Sequence, residues 1–200
     1  MALNSAPDSL TPDEAQRARE AGVDPAVALL LRGHGSDLQP LEGLDPETYT
    51  PYPAPGLTVA IPEAHSVDAV NALRDGVAPG YVAFRSERDF SQKIDRVAVL
   101  RADDPFAPLR VMGTNGANFD IETDQVIERI REWDARFGLR LTSASMDWLE
   151  AEFVRPPEDM LAFAHEVYDF CPDVVDQGTE SIEALADEMR STNTVYLWWD

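Results

Sequence analysis

The run TDQVIERIREWDARFG, residues 123–138, followed at once by LRLTSAS, residues 139–145, decides how the chain is read. Val126, Ile127, Ile130, Trp133, Asp134 and Phe137 recur at spacings of three and four, one stripe of an amphipathic helix. Thr123 is a preferred helix-capping residue, and Gly138 stands where the backbone must leave the helix. Leu139 to Ser145 and Leu149 to Val154 then read as paired strands that turn near Met146-Asp147. Upstream, Val97 to Leu100 is a short apolar segment that reads as a strand, the alternative being a helical turn. Downstream, Pro156-Pro157 stops the hairpin and opens a helix with Met160, Leu161, Ala164, Val167, Tyr168 and Cys171 facing inward, ended by Pro172. A last helix, about 181–190, precedes the strand from Thr194 to Trp199. The order strand, helix, strand, strand, helix, helix, strand predicts an α+β sandwich, a ferredoxin-like split β-α-β arrangement with one extra helix.

The amino-terminal half is less regular. Thr11-Pro12-Asp13-Glu14 is a capping box with proline at the first helical position, so a helix runs from there to Ala21 and stops near Gly22. Asp24-Pro25 caps a second, apolar helix, Ala26 to Arg32, closed by Gly33. Residues 33–57 are rich in Pro and Gly and read as an ordered loop or linker. Leu57 to Ile61, a helix over Ser66–Asp75 with Val67, Val70 and Leu73 inward, and Tyr81 to Phe84 form a small β-α-β unit. The expected division is a helical extension with its loop over 1–56 and an α+β domain over 57–200.

With 37 acidic and 16 basic residues the formal charge is −21. Such a balance opposes direct binding to nucleic acid or to an anionic membrane surface. No apolar run approaches the ~20 residues of a membrane span, and residues 1–10 lack the pattern of a secretory signal. Cys171 is the only cysteine, so an intrachain disulfide is impossible. The expected compartment is the cytoplasm. Residues 150–200 hold thirteen Asp or Glu against Arg155 and Arg190. That skew reads either as a solvated surface or as an electrostatic lure for a basic protein partner.

Three polar-aromatic strings fall at the edges of these elements: TNGAN (114–118), DVVDQG (173–178) and WWD (198–200). Thr114, Asn115, Asn118 and Asp120 form either a compact polar turn or a ligand-holding loop. Asp173, Asp176 and Gln177 can cap the next helix or line a cleft. Three-residue spacing of two carboxylates without further ligands does not specify a metal. On the last strand Val195, Leu197 and Trp199 face one way, Tyr196 and Trp198 the other. The second pair is read as covered by the amino-terminal region, the alternative being a binding surface. The candidate ligand-binding set is therefore Thr114, Asn115, Asn118, Asp120, Asp173, Asp176, Gln177, Trp198 and Asp200. His34, His65 and His165 make no zinc pattern, no nucleophile motif is present, and Cys171 reads as a buried structural thiol. No catalytic residue, metal or cofactor is expected.

The stretch from Met112 to Asp120, EWDARFG (132–138), Asp147-Trp148, the segment from Phe163 to Gly178 and the ending LWWD (197–200) together resemble the bacterial domain of unknown function 4253 family over about residues 95–200. That family carries no established activity, so the resemblance implies no catalytic role. The residues themselves favour a non-enzymatic cytosolic interaction protein, an inhibitor or immunity-type partner of a basic protein. The alternative is a small-molecule-binding protein or enzyme whose cleft is made by the 114–120 and 173–178 loops.

Overall fold

The computed structural model describes residues 9–89 and 91–200. Helices α1 (Pro12–Glu20) and α2 (Pro25–His34) begin where their caps predict. The Thr11 hydroxyl accepts from the Glu14 amide while the Glu14 carboxylate accepts from the Thr11 amide, a closed capping box.

Residues 33–57 are not a loop. They form most of an edge hairpin, β1 (Ser36–Leu44) and β2 (Pro51–Pro62). The prolines that suggested a loop sit where a strand tolerates them. Pro40 is in β1, at the sheet edge, and Pro51, Pro53 and Pro55 lie in the part of β2 that has β1 on one side only. The second partner, β4, joins β2 from Gly56 onward, after the last of these prolines. Their missing N–H groups therefore interrupt no ladder on that side.

The remaining elements are α3 (Glu63–Gly76), β3 (Tyr81–Asp89), β4 (Ile94–Arg101), α4 (Ala107–Val111), α5 (Thr123–Phe137), β5 (Leu139–Ala144), β6 (Trp148–Phe153), α6 (Met160–Phe170), α7 (Ile182–Thr192) and β7 (Thr194–Trp198). All seven strands belong to one sheet in the order β1-β2-β4-β3-β5-β6-β7. Every neighbouring pair is antiparallel except β3 and β5. The α+β class holds and the β2-α3-β3 unit is present, with β4 inserted between its strands.

The ferredoxin-like strand order does not hold. That order needs the strands flanking its first helix to run parallel, whereas β4 is antiparallel to β3, β3 is parallel to β5, and β4 and β5 therefore run in opposite directions. The cause is the β3–β4 hairpin, which folds β4 back between β2 and β3 and leaves β3 to meet β5. At the other end, the extra helix decides the topology. One crossover helix would deliver a parallel strand; α6 and α7 together bring β7 back antiparallel to β6 at the outer edge.

Helices cover different halves of the two sheet faces. On one face α1–α3 enclose Leu31, Leu38, Leu57, Val59, Ile61, Val70 and Leu73. On the other, α4–α7 enclose Phe84, Leu100, Val126, Ile130, Trp133, Leu149, Phe163, Val167, Leu197 and Trp199. Trp133 is fully buried, edge-on to Phe163 at 5.1 Å and Phe170 at 6.0 Å. Two inward assignments fail. Val67 is 43% exposed because Ser66, Ala69, Val70 and Leu73 form the inner stripe of α3, and the Ser66 hydroxyl has a buried carboxylate partner in Asp95 at 2.5 Å. Leu161 is also exposed, one step off the Met160, Phe163, Ala164, Val167 stripe. Among the described residues no helix is long and apolar enough to cross a membrane.

Candidate functional site

Antiparallel pairing sets Trp198 opposite Trp148 and so carries the end of β7 to the β5–β6 turn. Thr114 and Asn115 arrive at the same turn from the other side. The Thr114 hydroxyl donates to the Ser145 carbonyl at 2.6 Å and the Asn115 amide to the Met146 carbonyl at 2.8 Å. The Trp199 amide donates to the Asp147 carbonyl at 2.9 Å, which turns its indole into the core edge-on to Phe170 at 5.9 Å. Gly116 lies against that indole: a β-carbon there would stand 2.8 Å from the ring. The glycine is required by close approach.

The two polar strings meet at Asp200. The Asn118 side-chain amide donates to the Asp200 carbonyl, and the Asp200 backbone amide donates to Asp173 Oδ2 at 2.9 Å. Gln177 Nε2 donates to Asp173 Oδ1 at 3.0 Å. Thr114, Asn115 and Asp173 are buried in this junction, Asn115 also bracing its own turn through the Gly113 carbonyl and the Ala117 amide. Asn118, Asp120, Asp176, Gln177 and Asp200 remain exposed. Asp120 adopts a left-handed conformation (φ 55°), and Asp176 accepts from the Tyr168 hydroxyl at 3.2 Å. Nearby Asp147 has its pKa raised, first by burial and then by the charge of Asp200. Among the described residues no group of three or more His, Cys, Asp or Glu is arranged to hold a metal ion.

Trp198 and Tyr196 are half-buried. Helices α1–α3 pack over β1 to β4, and α3 reaches β5 and, through the Arg74–Glu152 ion pair at 3.4 Å, β6. A cavity of about 200 Å³ beside Trp198 is lined by Val174, Gly178, Leu185, Met189 and Tyr196. It is smaller than the roughly 300–1,000 Å³ of most small-molecule pockets, and the 114–120 loop does not line it.

Cys171 packs behind the same strand, its thiol donating to the Trp198 carbonyl at 3.0 Å. Burial pushes its pKa up to about 12; the Asp173 charge adds to the rise, and hydrogen bonds with the Trp198 and Val174 backbone act against it. The folded protein is therefore expected to resist a thiol-reactive disulfide reagent at about pH 8 and to label fully once denatured. Rapid labelling of the folded chain would contradict this. Since folding raises this pKa above its ordinary 9.0, the thiol's effect on stability is absent below pH 9 and grows unfavourable as pH rises from 9 towards 12.

Sequence reasoning missed a second polar cluster, on the sheet face opposite α5–α7. Arg85 of β3 is 5% exposed. It binds Asp95 of β4 at 3.3 Å, Glu150 of β6 at 2.7 Å and Ser143 of β5 at 3.1 Å. Its guanidinium lies 5.5 Å from the Trp148 ring, which also has the Arg88 guanidinium at 5.9 Å and the Tyr196 ring at 6.3 Å. Burial pushes the Tyr196 hydroxyl pKa up; Arg88 opposes that shift, while Asp147 and Glu150 reinforce it. The available signal was an arginine directly after the apolar run YVAF (81–84), at a position whose neighbours are buried.

No curated protein and no solved structure matches the chain. The model of the family described as "Domain of unknown function (DUF4253)" matches residues 96–200, which contain β7, the junction at Asp200 and all three polar-aromatic strings, and the chain belongs to that family.

Proposed function

We propose that the protein is a non-enzymatic cytoplasmic interaction module that captures a basic protein through the acidic face of α6, the π-helical turn Val174–Thr179 and α7. The observation that supports this reading is the distribution of unneutralised charge. Asp169, Asp176, Glu180, Glu183 and Glu188 are all exposed, and none forms a salt bridge among the described residues. Like charges gathered on one surface favour a cationic partner and speed its encounter, more so at low salt. The buried members of the polar strings are meanwhile engaged in internal hydrogen bonds.

The test is affinity capture from lysate of the source cells across a salt series, with the wild-type chain and with Glu180→Gln, Glu183→Gln, Glu188→Gln combined. The expected result is a near-stoichiometric basic protein on the wild type, released by rising salt and held weakly by the variant. Equal retention by both chains would sink the electrostatic reading.

A second reading rests on the meeting of the two polar strings at Asp200. It places a small molecule, bound or acted upon, between the 114–120 and 173–178 loops, against the exposed Asn118, Asp120, Asp176 and Gln177. A capture that stays empty at every salt concentration favours this second reading over the first.

A further inference from the structure

The turn after α1, the connection from α3 to β3 and the end of β4 enclose a cleft of about 1,000 Å³, built from elements that take no part in the junction at Asp200. Its lining includes Val23 and Val27, both buried, and the half-buried Leu30. Tyr81 ties its two sides together, its hydroxyl accepting from the Asp24 amide at 2.9 Å. Arg19 and Arg101 also line the cleft and are exposed.

Many guanidinium groups of this chain are matched by carboxylates, as in Arg32–Glu14, Arg96–Asp37, Arg131–Asp104 and Arg136–Glu166. Arg19 and Arg101 form no salt bridge among the described residues, although 37 acids are available to 16 bases and Asp24 and Asp103 line the same cleft. Arg19 donates to the Gln16 side chain at 2.9 Å. The Asp24 carboxylate is occupied with the Ala26 amide at 2.7 Å, capping α2. Two guanidinium groups thus border a ligand-sized, partly apolar cleft with donors to offer.

We propose that this cleft binds a small organic anion. Its carboxylate, sulfonate or phosphate head is held by Arg19 and Arg101, where charge-assisted bonds from a planar fork suit such groups. Its apolar body lies on Val23, Val27 and Leu30. The site is separate from the acidic helical face, so the two readings fail independently.

The test uses the full chain and the fluorescent anion 8-anilinonaphthalene-1-sulfonate, with uncharged N-phenyl-1-naphthylamine as control. The sulfonate is expected to occupy one saturable site, shifting backbone amide resonances of Val23, Gly80, Tyr81 and Ala102. Combining Arg19→Ser with Arg101→Ser should weaken the sulfonate by about tenfold or more, worth about 1.4 kcal/mol, and leave the uncharged control unchanged. Phenyl phosphate should displace the dye from the wild type. The proposal is overturned if there is no saturable site, if the double variant binds the sulfonate as well as the wild type does, or if the shifted resonances map to another surface. The resonance mapping needs only the wild-type chain, so it decides the matter even if a variant is lost.

Discussion

Arg85→Met is expected to destabilise the protein by about 3–5 kcal/mol, the range for removing one partner of a buried ion pair. Asp95 is 1% exposed and would keep its carboxylate in the interior, having lost the guanidinium and retaining the Ser66 hydroxyl at 2.5 Å. Glu150 would lose its 2.7 Å contact too, but it is nearer solvent and can rehydrate. The larger part of the loss therefore comes from Asp95. Urea denaturation followed by tryptophan fluorescence should show a lower midpoint with an unchanged slope. Adding Asp95→Asn should recover part of the loss, since the stranded charge is then gone. A single variant within about 1 kcal/mol of wild type would show that the cluster is hydrated and not a buried network.

Trp199→Ala is expected to cost a similar ~3–5 kcal/mol, as for other buried tryptophans cut back to a methyl group. The indole is 3% exposed, packs edge-on to Phe170 and fills the space against Gly116. Its ring nitrogen has no hydrogen-bond partner among the described residues, so what is lost is packing and not a hydrogen bond. Trp199→Phe should consequently recover much of the stability. Hydrogen exchange should show a second effect: the amides of Asn115 to Ile121, which fold over this ring, lose protection in Trp199→Ala beyond the global change. Uniform loss across the chain would mean that Trp199 supports the core generally and does not hold that turn.

The parts of the fold that were legible in the sequence are those fixed by neighbours along the chain. The stripe from Val126 to Phe137, the turn at Met146-Asp147 and the alternation from Thr194 to Trp198 each depend on local periodicity, and each is present. The strand order was not legible, because nothing near Val97 announces that β4 will lie between β2 and β3. Prolines hid β1 and the first part of β2, since their tolerance depends on having a partner on one side only. At the candidate site the residue types were readable but their engagement was not. Thr114 and Asp173 look like exposed polar loop residues until Ser145 and Asp200 are brought to them from other parts of the chain. Arg85 was invisible for the same reason: its partners Asp95, Ser143 and Glu150 lie 10, 58 and 65 positions away.

The place of β3 has a consequence for the segment that the family model covers. The matched segment, 96–200, starts inside β4 and includes β5, β6 and β7, yet the strand that stands between β4 and β5 precedes it in the chain. The shared segment is therefore not a self-contained sheet: taken by itself it has a strand-wide gap, with the inner edge of β5 open to unintended pairing. Within it β4 stands as a single strand apart from the three-stranded β5-β6-β7 sheet, and it is β3, from the preceding part of the chain, that welds the two into one surface.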